Sequence, residues 1–463
     1  MKIRDVIHGS IEIDSFELPI VDSRYFQRLR EIKQLGFAEH SFPSATHNRY
    51  SHSLGAMETI SQVWDSVFTQ KSRSRIEPGS NIEIARPHLQ RFRALARLVA
   101  LLHDVGHGPL SHTSEFAMPS LKELQIPVAL LQANSRKATH EDYTLKIILD
   151  SELTPLIEKV GERFGFQPIH VAAVLEPSIS VSDSFFLETI PFYSAHEKIN
   201  FRPLLNQMIS SEIDADRMDY LRRDSLHAGV SYGQFDFTWL VENLTFHIHQ
   251  GSCYLSLHHK ALYALEDFLI SRFHMFMMVY FHHKTVIFDR LLAEYFSSPE
   301  CDYTLPSKIE NYTKYTDTHL SSHLSLSSNN WAKRIVQKRP FRMLIEVHSG
   351  IPATKTAQME QKKLLEELQT DLKTRNIAYL VSTSTSELSK YFRRPVDPIF
   401  VHYDNLYNTP NFIPLEQCTD LFERYDKKRS ITRLYVSTED YPLCEFKGKN
   451  TPLKYKDPIY GLS

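Results

Sequence analysis

Residues 101–112 read LLHDVGHGPLSH and gather His103, Asp104, His107 and His112 into one short stretch. Imidazole nitrogen and carboxylate oxygen together suit a borderline or hard divalent cation such as Zn, Mn, Fe or Ni. On a helix the neighbours His103 and Asp104 point about 100° apart, so both can reach one ion lying between their directions. His107 is one turn on from His103 and faces the same side. Gly106, Gly108 and Pro109 end the helix and open room for a substrate beside that ion. An adjacent pair supplies only two ligands, and a lone HD dipeptide is most often a solvated helix end.

Three further segments change that balance: NRYSHSLG (48–55), THEDYTL (139–145) and SSEIDADRMDYLRRDSLHAG (210–229). The last carries Glu212, Asp214, Asp216, Asp219 and Asp224 beside Arg217, Arg222 and Arg223. Those arginines neutralise most of the acids, so each carboxylate taken singly reads as a surface salt bridge.

The elements that would hold these residues are mostly helical. Residues 1–20 alternate apolar and polar, which predicts a short strand or hairpin. From Ser23, Phe26, Leu29, Ile32 and Leu35 share one helical face, which Gly36 stops. Helices are expected over 53–68, 91–103, 140–150, 153–164, 168–174, 203–224 and 261–297, with a hairpin over 245–257. Between 70 and 87 the chain is charged and broken by Gly and Pro, a surface loop. Beyond about residue 300, FRMLIEVHSG and IAYLVSTST read as strands flanking a charged helix, TAQMEQKKLLEELQTDLKTRN. The expected architecture is a mainly α core, 1–300, with a smaller α+β C-terminal lobe, 301–463, suited to regulation or oligomerisation.

Composition narrows the function classes. A formal charge of −2 argues against a basic nucleic-acid coat, so nucleic acid is a partner that charge does not indicate. The basic run WAKRIVQKRPFR (331–342) reads as a solvated helix face before a nucleotide or single-strand contact. Four scattered cysteines without a C-x-x-C pair favour neither a disulfide framework nor a thiolate zinc site. The N-terminus lacks a signal-peptide h-region, and runs such as FMMVYF fall short of the about 20 residues a bilayer needs. The expectation is a soluble, cytoplasmic protein with no membrane partner.

In order, HNRYSHSLG, HDVGHGPLSH, THE and DADRMDYLRRDS resemble the HD-domain deoxynucleoside triphosphate triphosphohydrolases, a family with bacterial and vertebrate members. DVIHGSIEI, YFQRLREIKQLG and RFHMFMMVYFHHKT continue the match, which spans roughly residues 1–300. Two stretches, near 70–90 and 116–138, separate the motifs more widely than in the vertebrate enzyme. The resemblance implies an HD-domain fold and hydrolysis of dNTPs to deoxynucleoside and tripolyphosphate by water attack at the α-phosphorus. It implies that His52, His103, Asp104 and Asp216 hold one divalent metal per subunit: Mn, Fe, Zn or Ni, with Mg usable alongside the triphosphate. His112 matches the general acid, supported by Glu115 and His140, and His107 faces the α-phosphate. Glu115 stands where the vertebrate enzyme has Asp. Arg49, Arg217 and Arg272 match phosphate contacts, Gln34 and Leu35 the deoxyribose surroundings, and Tyr220 and Asp224 the 3′-hydroxyl contacts. Tyr280 matches a ring packed where a 2′-hydroxyl would sit, and His282 a further substrate-side residue. Asp22, Gln27 and Arg30 match a guanine-reading allosteric site in regulated members, although their helical spacing equally suits an intramolecular ion pair. A homo-oligomer, dimer or tetramer, is also implied.

Two other readings compete. Among HD phosphohydrolases, guanosine tetraphosphate hydrolases resemble HDxxED, and cyclic-nucleotide phosphodiesterases resemble HDxxHxGxxN; Gly106–His107 and Pro109 with His112 depart from these. The other is a nucleotide-sensing or nucleic-acid-binding scaffold without catalysis, against which the full set of matched ligands and His112 speaks.

Overall fold

The computed structural model describes residues 1–68, 86–128, 136–189, 198–349, 354–386, 397–404, 411–421 and 428–444. Most of the predicted 70–87 loop and part of the 116–138 stretch lie outside them. The chain divides into two compact units, Met1–Val336 with Ser386–Lys428, and Gln337–Thr385 with Arg429–Ser463. The division therefore does not fall near residue 300. The segment 301–336 packs into the first unit, and the chain returns to that unit after residue 385.

Six helices of the first unit frame the candidate site: α1 (Arg49–Val67), α2 (Arg86–Leu102), α3 (His140–Leu149), α4 (Ala215–Ala228), α5 (Leu262–Met275) and α6 (His283–Ser297). Asn48 starts α1 by accepting the Ser51 N–H, one of the donors a helix leaves unpaired. Leu54, Met57, Ile60 and Val63 of α1 are buried, as are Leu95, Leu98, Val99 and Leu102 of α2 and Met218 and Leu221 of α4. Each such side chain contributes about 1.5–3 kcal/mol when fully buried, so this interface is a rigid base for polar groups placed on it.

Three expected helices are divided. The 203–224 helix becomes Arg202–Ile209 and α4, because Asp214 caps the second piece through the Arg217 N–H. The 261–297 helix is interrupted by a π-turn, Phe276–Tyr280, and restarts at His282, which caps α6. From Ser23 only Arg24–Gln27 is α-helical; a 3₁₀ turn, Arg28–Glu31, follows, and Ile32 is extended. Phe26, Leu29 and Ile32 are nevertheless buried as their spacing predicts.

The hairpins appear as expected, Lys2–Asp5 with Gly9–Glu12 and Leu244–His249 with Ser252–His258. The latter hairpin sits in a sheet that also takes Lys198–Asn200, Leu187–Thr189, and two strands from far along the chain, Phe400–His402 and Phe412–Pro414. In the second unit, Arg342–His348 and Tyr379–Ser386 flank Arg429–Val436, and the helix Lys355–Thr374 joins the outer two. Leu372, Ile377, Leu434, Val436 and Cys444 form its core. The fold is mainly helical with a smaller α+β C-terminal part, as predicted. All four cysteines are free, and among the described residues no helix is long and apolar enough to cross a membrane.

Candidate active site

α1 supplies His52, the turn directly after α2 supplies His103 and Asp104, and the second residue of α4 is Asp216. Each imidazole is held by Nδ1: His52 by Asp219 Oδ2 at 2.8 Å, and His103 by the Ala100 carbonyl at 2.7 Å. Nδ1 therefore carries the proton, and the Nε2 lone pair is left facing inward. Both Nε2 atoms are buried without a hydrogen-bond partner. His52 Nε2 lies 2.9 Å from Asp216 Oδ1 and 3.6 Å from Asp104 Oδ2. His103 Nε2 lies 3.4 Å from Asp104 Oδ1 and 3.4 Å from Asp216 Oδ1. Two orphaned imidazole nitrogens converging on two carboxylates are the donor set of a divalent cation, and His52, His103 and Asp104 have ligand atoms within 4.8 Å of one another.

The field at this point favours positive charge. Burial opposes protonation of His52, but Asp216 and Asp219 outweigh it and push the ring up to about 10. Burial likewise opposes ionisation of Asp216, yet His103 and His52 hold its carboxyl below the usual range. A metal ion answers the same field as that proton and would displace it.

The group behind His52 escaped the sequence reading. Asp219 also accepts from His8 Nε2 at 2.8 Å and from Arg223 at 2.9 and 3.0 Å, and Arg223 reaches Asp5 at 2.8 Å. The Asp219–Arg223 pair is wholly buried, not the surface salt bridge its spacing suggested. The only sequence signal was the i, i+4 spacing, which cannot report burial. Gly55 makes room for it: a Cβ there would overlap Asp219 Oδ1 and Arg223 Nη2. Gly55→Ala is expected to cost about 1–3 kcal/mol and to lower metal content by shifting the support of His52, read by thermal denaturation and elemental analysis.

Beside the ligands stands a second histidine group. Glu115 Oε1 is 2.5 Å from His140 Nδ1 and 3.3 Å from His112 Nδ1. His107 is buried, stacks on His140 at 3.8 Å, and sets Nε2 3.2 Å from Asp104 Oδ1. Burial, reinforced by Arg49 and His140, holds His107 well below the ordinary histidine range, so it is neutral. The side chain of His112 is 69 % exposed. Burial opposes ionisation of Glu115, but hydrogen bonds with His112 and His140 outweigh it and hold the carboxyl down at about 2, against an ordinary 4.5. Ionised Glu115 therefore stabilises the fold fully above pH 4.5 and loses that contribution as pH falls towards about 2. The melting-temperature deficit of Glu115→Gln should be full at neutral pH and close as pH drops below 4.5.

The matched arginines divide. Arg49 is buried and committed to Asp104 and, at 2.9 Å, to Ser111 Oγ. Arg217 stands 3.2 Å from Glu212 and 3.4 Å from Asp214, whose carboxyl burial lifts to about 7. Arg272 lies over the Phe276 ring, and with Arg217 acts electrostatically on Tyr220. Tyr220 and Tyr280 rings are 6.4 Å apart, and the π-turn delivers the Tyr280 hydroxyl to Asp224 Oδ2 at 2.7 Å. The other Asp224 oxygen faces His47 Nε2 at 2.7 Å, a residue the sequence reading missed. Gln34 is tied by its N–H to the His47 carbonyl at 3.0 Å, with half-buried Leu35 next to it. His282 sits edge-on to Phe42 while capping α6.

At the predicted regulatory positions, Arg30 donates to Gln27 Oε1 at 2.8 Å and lies over the Tyr50 ring at 3.6 Å, while Asp22 is exposed. Arg30 is thus hydrogen-bonded to the neutral Gln27 amide, which is not the ion pair their spacing allowed. A separate trio, His258, His259 and Asp404, also brings ligand atoms together. There His258 Nδ1 accepts the Lys260 N–H, so its Nε2 proton is committed to Asp404 at 3.0 Å, and the Lys260 ammonium stands 3.5 Å from the same carboxylate. That group is a salt-linked clasp at the ends of two paired strands, Ser252–His258 and Phe400–His402.

Residues 49–224 match the HD domain and residues 235–377 the HD associated region. The chain thus carries an HD domain followed by an HD associated region. It is similar to human deoxynucleoside triphosphate triphosphohydrolase SAMHD1, 27% identical over 338 residues, covering 68% of this chain and 49% of that protein. It is 32% identical over 284 residues to the uncharacterized protein YwfO of Bacillus subtilis, covering 61% of this chain and 52% of the relative. The chain thus spans about half the length of these curated relatives. Among solved structures, a hypothetical protein from Aquifex aeolicus has the same fold, with a TM-score of 0.68 at 24% identity, covering 96% of this chain and 98% of that one. A phosphohydrolase from Bacteroides thetaiotaomicron gives 0.62 at 20% identity, covering 94% and 99%.

Proposed function

We propose that the protein hydrolyses deoxynucleoside triphosphates to deoxynucleoside and tripolyphosphate. The observation that carries this reading is the pairing of two buried, orphaned imidazole Nε2 atoms and two carboxylates with the adjacent His112–Glu115–His140 group. A divalent ion held by His52, His103, Asp104 and Asp216 would supply Lewis acidity towards the phosphoryl oxygens and the attacking water.

The chain's own residues carry the rest. The 5′-oxygen of a deoxynucleoside leaves as an alkoxide and requires a proton. Glu115 orients His112 through Nδ1, which leaves Nε2 as the ring atom to donate that proton. His140 shares the same carboxylate oxygen and fixes it in place. Neutral His107 faces the α-phosphate without adding charge. Arg217 and Arg272 supply cations for the outgoing phosphates, while Arg49 holds Asp104 in its ligating orientation. The Tyr280 ring, anchored by Asp224, occupies the space a 2′-hydroxyl would need, which favours deoxy over ribo substrates. A homo-oligomer and nucleotide activation through Asp22, Gln27 and Arg30 belong to the same proposal.

The test is chromatography of products formed by the purified protein with Mn²⁺ and each dNTP, singly and mixed. Deoxynucleoside and intact tripolyphosphate in equal amounts support the reading, and turnover in mixtures alone adds activation. Stepwise phosphate loss would replace it with another phosphohydrolase activity. Bound nucleotide without turnover would leave a sensing scaffold.

A further inference from the structure

Between the ligand Asp104 and the histidine His112, the backbone does something that side-chain-bearing residues avoid. Leu110 and Ser111 both have positive φ, 55° and 60°, in the left-handed region. Neither is glycine, so the turn must be held by its surroundings. The grips come from outside it. Asp317 Oδ1 accepts the Leu110 N–H at 2.7 Å, and Asp317 Oδ2 accepts the Lys33 N–H at 2.9 Å. Ser111 Oγ donates to the Lys33 carbonyl at 2.8 Å and accepts from Arg49, which itself binds Asp104. Thr113 Oγ1 donates to Asp289 at 2.9 Å on the far side of His112. At the other end of the turn, Tyr312 donates to the Gly106 carbonyl at 2.8 Å, and Arg28, stacked on the Tyr312 ring, donates to the His107 carbonyl at 2.7 Å.

Asp289, Tyr312 and Asp317 all lie in the HD associated region, outside the HD domain proper. We infer that Asp317 is a positioning residue: its carboxylate ties the left-handed Leu110–Ser111 turn to the Lys33 backbone and so aims His112. The associated region is thereby part of the apparatus that orients the acid. A carboxylate suits this position because two N–H donors each meet one of its oxygens; alanine offers none, and an amide turns its NH₂ towards one of the two donors. Asp317 touches no ligand atom, and its effect passes through the backbone to His112. This inference rests on the proposed role of His112 for its kinetic consequence, but not for its structural one.

The experiment compares wild type, Asp317→Ala and Asp317→Asn in the full chain by steady-state kinetics, metal content and peptide-resolved hydrogen exchange. Asp317→Ala should lower kcat by about 10–100-fold with KM and metal content unchanged, and should deprotect the peptide around residues 106–117 selectively. Asp317→Asn, which keeps one acceptor, should fall between and serves if the alanine variant does not fold. Unchanged protection of that peptide overturns the inference, whatever the kinetics. A uniform loss of protection across the chain also overturns it, since that marks a general structural prop. If wild type turns over no dNTP, the function fails while the exchange result still decides the positioning.

Discussion

His112→Gln is expected to lower kcat by about 10²–10⁴-fold and to leave the metal content of the protein unchanged. The size follows from the ordinary contribution of a positioned general acid. The retained metal follows from geometry: His112 belongs to the Glu115 group, and the orphaned nitrogens that point at the carboxylates belong to His52 and His103. Because its side chain is 69 % exposed, glutamine there leaves the packing intact, and its amide N–H can still donate to Glu115. A substrate whose leaving group needs no proton separates this role from binding. With a p-nitrophenyl phosphodiester, the variant should lose far less of its rate than with a dNTP. Equal losses on both substrates would remove His112 from the acid's role and leave it a binding residue.

The second large effect is at Asp104, and here two consequences must be told apart. Loss of Lewis acidity removes several kcal/mol of transition-state stabilisation, which at about 1.4 kcal/mol per tenfold is about three decades of rate. Asp104→Ala also strands the buried Arg49 guanidinium, whose partners are Asp104 and Ser111. Breaking a buried ion pair on one side costs about 3–5 kcal/mol, so the alanine variant should melt early as well as lose activity. Asp104→Asn keeps an oxygen for Arg49 and the volume of the side chain while removing the charge that attracts a cation. It should therefore fold near normally, bind metal poorly, and show the same deficit in rate. Elemental analysis beside calorimetry reads both quantities, and an Asp104→Asn protein with a full complement of metal would take Asp104 out of the ligand set.

Of the fold, the helices were legible wherever apolar periodicity and end signals agreed, as over 53–68, 91–103 and 153–164. The reading failed where one polar side chain or one turn redirected the backbone. Asp214 was read among the acids of one long helix, and it caps the start of a second. The π-turn at Phe276–Tyr280 lies within an unbroken apolar run, so periodicity passes over it. The strands Phe400–His402 and Phe412–Pro414 pair with partners more than 140 residues distant or with each other, and strand pairing at that range leaves no local trace.

The candidate site divides along the same physical line. The family pattern named His52, His103, Asp104 and Asp216 as candidate ligands because they carry suitable donor atoms, and only the fold brings those atoms from three elements to one place. The same pattern named His112, Glu115 and His140 as candidates, and the fold sets both rings beside the Glu115 carboxylate. What supports them was not readable. Asp219, Arg223, His8 and Asp5 look like solvated charges until packing removes the water around them, and desolvation belongs to the folded molecule. Asp317 lies 207 residues from Leu110, and its meaning arises only when a left-handed turn presents the Leu110 N–H to it. Local sequence sets the chemistry a segment can offer; burial, and the distant backbone groups brought within hydrogen-bonding reach, are set by the tertiary fold.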